Sequence, residues 1–376
     1  MKIAIAGAGL GGLVCARVLQ LHDRPVTVFE RESSPGSRAQ GGTLDMHTDT
    51  GQVALREAAL FDRFRALARA EGQEQRQLDH TATVLRHELP AEGEFSRPEI
   101  DRGKLRELLL DSLAPGTVRW GRTVSRTASL GGKPRVSFTD GATEDFDLVV
   151  GADGAWSRVR QALSDTKPGY TGVTFVETGF DDVDARHPRL VKLVGNGTMI
   201  AKAGGKGLFA QRNGNGNGNG NGRCYIAFRA PEDWPGQAGV DLADDAMVRA
   251  YLPKMFDGWD ESLLAIVRDS DRGFVNRPQF VLPVPHAWDH VPGITLLGDA
   301  AHLMPPVGVG ANLAMLDGAE LATALVTESG IDEAVRAYEG VMLPRSVETA
   351  KAAEGAFDHL LGPARSAVSE APASGR

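Results

Sequence analysis

The sequence predicts an α/β fold: a doubly wound, Rossmann-like parallel sheet, a second domain of mainly antiparallel sheet, and a C-terminal bridging helix. Three observations carry that expectation. Short apolar runs at residues 2–6, 26–29, 147–150 and 294–297 each lead straight into a turn or an acidic residue. The first is followed by Gly7-x-Gly9-x-x-Gly12 and then by apolar residues at helical spacing. Residues 170–230 instead alternate along the chain and are rich in turn residues, as an antiparallel sheet requires.

The elements follow in order. Residues 2–6 (KIAIA) read as a buried strand, and Leu10, Leu13, Val14, Val18 and Leu21 mark a helix that stops before Pro25. Residues 26–29 (VTVF) are a second strand ending at Glu30, which completes a right-handed β-α-β unit. Residues 52–70 read as one helix, and 78–100 alternate weakly as strands. Asp101 reads as the N-cap of a helix carrying Leu105, Leu108, Leu109 and Leu113. Strands follow at 117–139, with turns at Gly131-Gly132 and Asp140-Gly141. The Asn-Gly run at 213–222 reads as a solvated hairpin loop. Residues 231–270 mix helix and loop, residues 311–326 are helical, and 331–361 read as two helices broken at Pro344. The expected division is an interleaved one. One domain takes 1–76, 101–167 and 290–340, and the second takes 77–100 and 168–289. A C-terminal helix at 341–362 and a disordered tail at 363–376 complete the chain.

Composition bounds the function. The 376 residues suffice for about two domains. A formal net charge of −8 argues against non-specific nucleic-acid binding, which needs a basic face. Cys15 and Cys224 form neither a metal spacing nor a disulfide framework, which fits a reducing cytoplasm, and Cys15 reads as packed in the first helix. No apolar run is long enough to span a membrane, and the N-terminus lacks the pattern of a signal peptide. A monomer or weak dimer is expected. Forty-five glycines, about 12% of the chain against a usual ~7%, imply local backbone roles.

Those roles concentrate in three motifs. In the first, Gly7 permits a tight turn, Gly9 admits a pyrophosphate close to the backbone, and Gly12 lets helix and strand pack. The helix N-terminus offers free N–H groups to phosphates, and Glu30 can accept hydrogen bonds from ribose hydroxyls. This motif predicts a dinucleotide without separating FAD from NAD. In the second, a strand delivers Asp299 to the carboxyl edge of the sheet, where a carboxylate suits a polyol. Pro306, Gly308, Gly310 and Asn312 then bring another helix N-terminus toward a ligand, where its dipole stabilises negative charge. His302 in this stretch reads as a packing residue with a satisfied ring. The third motif, Asp153-Gly154-x-x-Ser157-x-x-Arg160, is by itself an ordinary strand-to-helix turn.

In order and spacing across residues 2–320, the three together resemble the class A FAD-dependent aromatic monooxygenases, the single-component flavin hydroxylases. The resemblance implies that the first motif binds the ADP half of FAD and that Gly298-Asp299 binds the ribitol. It associates Asp153-Gly154 with both FAD and the nicotinamide cofactor. A finer similarity is to the tetracycline-inactivating monooxygenases. It rests on Gly41-Gly42-Thr43-Leu44-Asp45-Met46-His47, on Arg97-Pro98-Glu99-Ile100-Asp101-Arg102 with Leu105-Arg106, and on residues 298–306. By this resemblance Arg38 and Arg106 would hold FAD phosphates or hydroxyls, with Arg31 also counted among the cofactor residues. Gly42 and Asp45 would lie near the isoalloxazine ring.

Where the tetracycline enzymes contact their drug with Gln, Arg and His, this chain carries Glu177, Thr198 and Tyr225. The loop before Asn312 is one residue shorter, with Val309 at a commonly polar place. These departures weaken the expectation of tetracycline itself and leave a phenolic or polycyclic substrate, an aromatic polyketide or tetracycline-like molecule, as the expectation. Glu177 either orients a substrate hydroxyl or faces solvent. The implied chemistry is reduction of FAD by NADPH or NADH, addition of O2 at flavin C4a, and transfer of the distal OH to an aromatic or polycyclic small molecule. The protein would supply orientation, water exclusion and electrostatics rather than a nucleophile. Alternatives are an FAD-dependent oxidase or reductase, and a non-catalytic flavoprotein that sequesters a ligand.

Overall fold

The computed structural model describes residues 1–37, 41–130, 133–214 and 220–362. The chain opens with β1 (Ile3–Ala6), α1 (Leu10–Leu21), β2 (Val26–Phe29) and β3 (Thr43–Asp45). Two short helices follow, α2 (Gly51–Glu57) and α3 (Phe61–Leu67), then β4 (Gln75–Leu78), β5 (Val84–Glu88), β6 (Glu99–Asp101) and α4 (Arg102–Asp111). Next come β7 (Val118–Arg119), β8 (Val124–Leu130), β9 (Lys133–Phe138), β10 (Thr143–Asp145) and β11 (Leu148–Gly151). The middle of the chain holds β12 (Gly169–Phe180), α5 (Val183–Arg186), α6 (Pro188–Val194), β13 (Thr198–Ala203), β14 (Lys206–Asn213) and β15 (Asn221–Arg229). It closes with α7 (Trp234–Ala238), α8 (Asp245–Met255), α9 (Glu261–Arg268), β16 (Val275–Val281), β17 (Ile294–Leu296), α10 (Asp299–His302), α11 (Gly310–Thr327) and α12 (Ile331–Leu361).

The apolar runs meet in one five-stranded sheet of order β17-β11-β1-β2-β7, all parallel. Strands β1, β11 and β17 are buried on both faces, which is why they read as continuous rather than alternating. Helices α1 and α11 share the core of this sheet and pack closely on each other. The seam is built of glycine: a Cβ on Gly11 would stand 2.3 Å from the Ala314 carbonyl oxygen. The second sheet has the order β16-β12-β15-β14-β13-β4-β5 and is antiparallel except for β13 beside β4. One face of it buries Val176, Met199, Leu208, Cys224 and Ile226 against Val248, Leu252, Leu263 and Ile266 of α8 and α9. Burial pushes both cysteine thiols up to about 12, consistent with packed, unreactive groups.

The structure corrects several expectations. The two helices expected around Pro344 are one helix, α12. Proline removes the hydrogen bond to the carbonyl of Gly340, but Gly340 is exposed, so water can take that carbonyl. The buried seam of Tyr338, Met342, Ser346, Ala350, Ala353 and Phe357 runs through the proline unbroken, and packing decides the outcome. The boundary expected at 340/341 therefore falls inside a helix. The helix expected over 52–70 is split into α2 and α3 around Ala59, which has a φ of +53°. The alternating region after residue 170 also contains α5 and α6. Asp101 sits at the N-cap of α4, but its Oδ1 accepts instead from Gly214 N at 3.2 Å. The ends of the Asn-Gly run pair across β14 and β15 at Asn213 and Asn221. Residues 215–219 and the tail after Gly362 lie outside the described residues.

Candidate active site

The parallel sheet delivers its loops to one edge. Gly7 has a φ of +105°, and a Cβ there would stand 2.3 Å from the Ala152 carbonyl oxygen; one on Gly12 would stand 2.4 Å from the Gly7 oxygen. Gly9 differs, since nothing lies within 4 Å of where its Cβ would be. Its bareness leaves space above the N-terminus of α1, which no side chain caps. Glu30 reaches back from β2. Its Oε2 accepts from Ala8 N at 2.8 Å and its Oε1 from Glu32 N at 3.0 Å. Buried Arg106 on α4 donates to Ala8 O at 3.1 Å, Pro35 O at 3.0 Å and Glu32 Oε2 at 3.1 Å. Glu30 and Arg106 thus fix the glycine turn from two sides. Arg31 is exposed, and Arg38 lies outside the described residues.

Just past β17, Gly298 has a φ of +59° and leads into α10, whose first residue Asp299 is exposed. The Asp299 carboxylate makes no side-chain hydrogen bond among the described residues, and its Oδ1 lies 3.9 Å from where a Gly310 Cβ would stand. At Gly308 the corresponding neighbour is Asp45 Oδ1, at 3.8 Å. The loop and the segment 41–47 are stapled by Asn312, which is 1% exposed. Its amide donates to Asp45 O at 2.7 Å and accepts from His47 N at 2.9 Å. Asn312 therefore acts through its neighbours rather than presenting a free side chain. Asp45 also holds His47 Nε2 at 2.9 Å, a hydrogen bond that raises the His47 pKa. Pro306 is exposed at the rim, and no side chain caps α11.

Behind this loop lies a buried ionic cluster that the sequence did not reveal. Asp317 is 0% exposed and accepts from Gly298 N at 3.0 Å, His302 Nε2 at 2.6 Å and Arg345 Nη2 at 2.9 Å. Burial works against charge on either partner. The pairing prevails, so His302 is raised and Asp317 lowered. His302 is satisfied, as expected, but as half of an ion pair rather than by packing. Asp153 turns inward. Its Oδ1 accepts from Ser157 Oγ at 2.5 Å and its Oδ2 from Arg158 N at 2.7 Å, so the carboxylate caps its own turn. Arg160 of the same turn donates to Ala300 O at 3.0 Å and Ala155 O at 2.7 Å, tying the third motif to the second.

The second sheet packs against the segment 41–47. A Cβ on Gly42 would meet Gln211 Oε1 at 3.0 Å, Arg223 Cδ at 3.1 Å and the Tyr225 hydroxyl at 3.3 Å. Tyr225 pairs in register with Glu177 and with Phe209, and Gln211 pairs with Arg223 and with Thr198. All six side chains share one face. Tyr225 and Glu177 are thereby brought together. Thr198 stands one strand beyond Gln211, farther from Gly42. Glu177 neither faces open solvent nor offers a free acceptor, because Arg223 Nη1 donates to its Oε1 at 2.5 Å and Arg277 Nε to its Oε2 at 3.1 Å. Gln211 and Arg223 were missed. Their signal was available only through strand register, as the neighbours of Tyr225 on the same face. Aromatic rings fill the rest: Phe175 lies 5.7 Å from Phe209, 6.2 Å from Tyr225 and 6.4 Å from Phe357 of α12.

A bare glycine turn beneath an uncapped helix, and an unpartnered carboxylate beside a second uncapped helix, fit a dinucleotide with a polyol linker. The chain matches the FAD binding domain family over residues 1–220 and 290–346. It is 32% identical to Monooxygenase asqM of Emericella nidulans, covering 86% of this chain and 83% of that protein. It is 30% identical to Monooxygenase penA of Penicillium thymicola, covering 93% of each. It is also 30% identical to 3-amino-4-hydroxybenzoate 2-monooxygenase of Streptomyces cremeus, covering 93% of this chain and 84% of that protein. Among solved structures, an FAD-containing monooxygenase assignment from Photorhabdus luminescens superposes with a TM-score of 0.79 at 25% identity, covering 96% of this chain and 98% of that one. Tetracycline destructase Tet(51) shares the fold, with a TM-score of 0.70 at 22% identity over 96% of this chain and 91% of its own. No described helix is long and apolar enough to cross a membrane. The chain belongs to the FAD binding domain family and is an FAD-dependent monooxygenase of the class A flavin hydroxylase type.

Proposed function

We propose that the protein uses NADPH or NADH and O2 to hydroxylate a phenolic or polycyclic aromatic molecule held beside the contact of the segment 41–47 with the seven-stranded sheet. The observation that carries this reading is the position of Gly42, which packs directly on Gln211, Arg223 and Tyr225 and so brings the segment 41–47 onto one face of the sheet. It lies in the same segment as Asp45, which neighbours Gly308. When bound, FAD supplies the redox chemistry, accepting electrons from the nicotinamide and activating O2.

The residues of the chain do the rest. The backbone at Gly7, Gly9 and Gly12 and the N-terminus of α1 receive the pyrophosphate, with Glu30 and Arg106 shaping that loop. Asp299 accepts hydrogen bonds from ribityl hydroxyls. Asp45, Gly308 and Gly310 flank the ring, and the dipole of α11 stabilises negative charge there. Tyr225, Gln211 and Arg223 orient the substrate, and Phe175, Phe209 and Phe357 exclude water from the cleft. A substrate of this class suits the aromatic wall, and the aminohydroxybenzoate named for the Streptomyces relative is of that class.

The test is purification, FAD titration, and turnover with isotopically labelled O2 over a panel of phenols and aromatic polyketides. Label in a +O product is expected. Nicotinamide oxidation that yields hydrogen peroxide and no labelled product with any substrate would favour an oxidase.

A further inference from the structure

The seven-stranded sheet ends on β5, and among the described residues no strand pairs with the outer edge of β5. Val84 to His87 are all exposed, so both faces of this strand are open as well. Leu85 and Leu89 are 64% and 66% exposed, the highest values of any large apolar side chain described, and Val84 beside them is 54% exposed. A bare edge that carries apolar side chains is an association site, because its unpaired N–H and C=O groups template another strand.

The order of residues identifies that strand. Leu85-Arg86-His87-Glu88-Leu89 is its own complement when reversed about His87. In a symmetric antiparallel pair, the two-fold axis passes between a residue and its own copy. With His87 on the axis, Arg86 stands opposite Glu88 of the second copy, Glu88 opposite Arg86 of the second copy, and Leu85 opposite Leu89 of the second copy. Opposite charges facing each other across a ladder stabilise it, and like charges weaken it. Moving the axis by one residue destroys the match. On Arg86 it sets Val84 against Glu88 and Leu85 against His87; on Glu88 it sets Arg86 against Pro90 and His87 against Leu89. Each His87 ring lies with its Nε2 2.8 Å from Glu74 Oε1 of its own chain, so the two rings on the axis bring a carboxylate apiece. Arg86 already meets Glu88 within one chain, and Arg97 lies 3.7 Å from Glu88, but all three side chains are exposed and such pairs cost little to rearrange. Residues 86–88 pair with β4 in unbroken register, and the one irregularity falls between Arg86 and Val84. That bulge twists the strand and limits any new pairing to a short stretch, so the contact is small.

We propose that the outer edge of β5 pairs with the same edge of a second copy of this chain, antiparallel and with the two-fold axis at His87, to form a weak symmetric dimer. The two seven-stranded sheets then continue into each other across the axis.

Sedimentation velocity on the FAD-loaded full chain, over a concentration series into the high micromolar range, reads the association. The parent is expected to dimerise as concentration rises. Arg86→Glu alone and Glu88→Arg alone each set two pairs of like charges across the axis, and each should weaken the dimer about tenfold or more. Mixing these two variants restores both opposite-charge pairs in a heterodimer, and combining the two substitutions in one chain restores them in a homodimer. Both should return association to near that of the parent. Thermal unfolding of each variant reports that it has folded. A parent that stays monomeric overturns the proposal, as does a dimer that neither single variant weakens or that mixing fails to restore. Flotation of a monomeric parent with vesicles of phosphatidylcholine and phosphatidylserine assigns the patch to a lipid surface instead, and overturns the proposal as well.

Discussion

Gly318 and Gly11 bring α11 and α1 together with no room for a methyl group between them: a Cβ on Gly318 would stand 2.3 Å from the Gly11 carbonyl oxygen. This contact sets the angle at which both helix N-termini meet the cofactor edge. The neighbour is backbone and cannot swing aside. Gly318→Ala is therefore expected to cost about 3 kcal/mol, at the upper end of overpacking effects, and to weaken FAD binding with it. Gly9→Ala is the contrast. Its methyl group enters open space at a φ of −79°, so thermal unfolding of the FAD-free protein should be unchanged while FAD affinity falls. Scanning calorimetry and flavin fluorescence titration distinguish the two.

The Asp299 carboxylate makes no side-chain hydrogen bond among the described residues and acts on the protein only through its charge on His302, so Asp299→Ala tests chiefly ligand binding. Stability without FAD should stay within about 0.5 kcal/mol of the parent. Loss of charged hydrogen bonds to a ligand, worth roughly 1.5–3 kcal/mol, should raise the FAD dissociation constant by about 10- to 100-fold. An unchanged constant would remove Asp299 from the proposed ribityl site.

The His302–Asp317 pair makes stability depend on pH in a stated direction. His302 is raised, so its contribution is complete below the unfolded value of 6.5 and is lost as pH rises through the folded value. Asp317 is lowered, so its contribution is present above the unfolded value of 3.8 and is lost as pH falls through the folded value. The pair is at full strength between those limits. The difference in unfolding free energy between the parent and His302→Gln should shrink as pH rises above 6.5. Asp317→Asn leaves Arg345 and His302 without a buried counter-charge and should cost about 3–5 kcal/mol in denaturant melts.

Phe357 of α12 packs on Phe175 of the seven-stranded sheet and is 4% exposed. Phe357→Ala should destabilise by about 3 kcal/mol and open the aromatic wall to water. The expected signature is a larger share of nicotinamide consumed as hydrogen peroxide, measured as the ratio of peroxide to hydroxylated product.

The cofactor edge was legible because its constraints are local. A glycine with positive φ, an acid at a strand end and a helix at fixed spacing can be read along a few residues, as Gly7, Glu30, Asp299 and Gly310 show. The cleft wall was harder, because a strand residue faces a ligand only by virtue of pairing. Tyr225 was named from the sequence, but its neighbours Gln211 and Arg223 emerge only once β14 and β15 are in register. The buried network of Asp317, His302 and Arg345 joins three separate segments, and nothing in any one of them announces the other two. Pro344 misled because a local helix breaker was outweighed by a packed seam along the whole of α12.

The order of strands in the parallel sheet also sets a timetable for making the molecule. Strand β11 pairs on one side with β1, near the start of the chain, and on the other with β17, which begins only at Ile294. Until the ribosome has released that late segment, β11 presents a bare edge, and bare edges invite mispairing with other chains. Pairings this distant are slow to form. The same late segment carries Asp299, so the nascent chain cannot complete the proposed ribityl site before most of it has been synthesised. Growth at low temperature, which slows synthesis, and a generous flavin supply at the end of it should therefore raise the yield of soluble, yellow protein more than any change early in the chain.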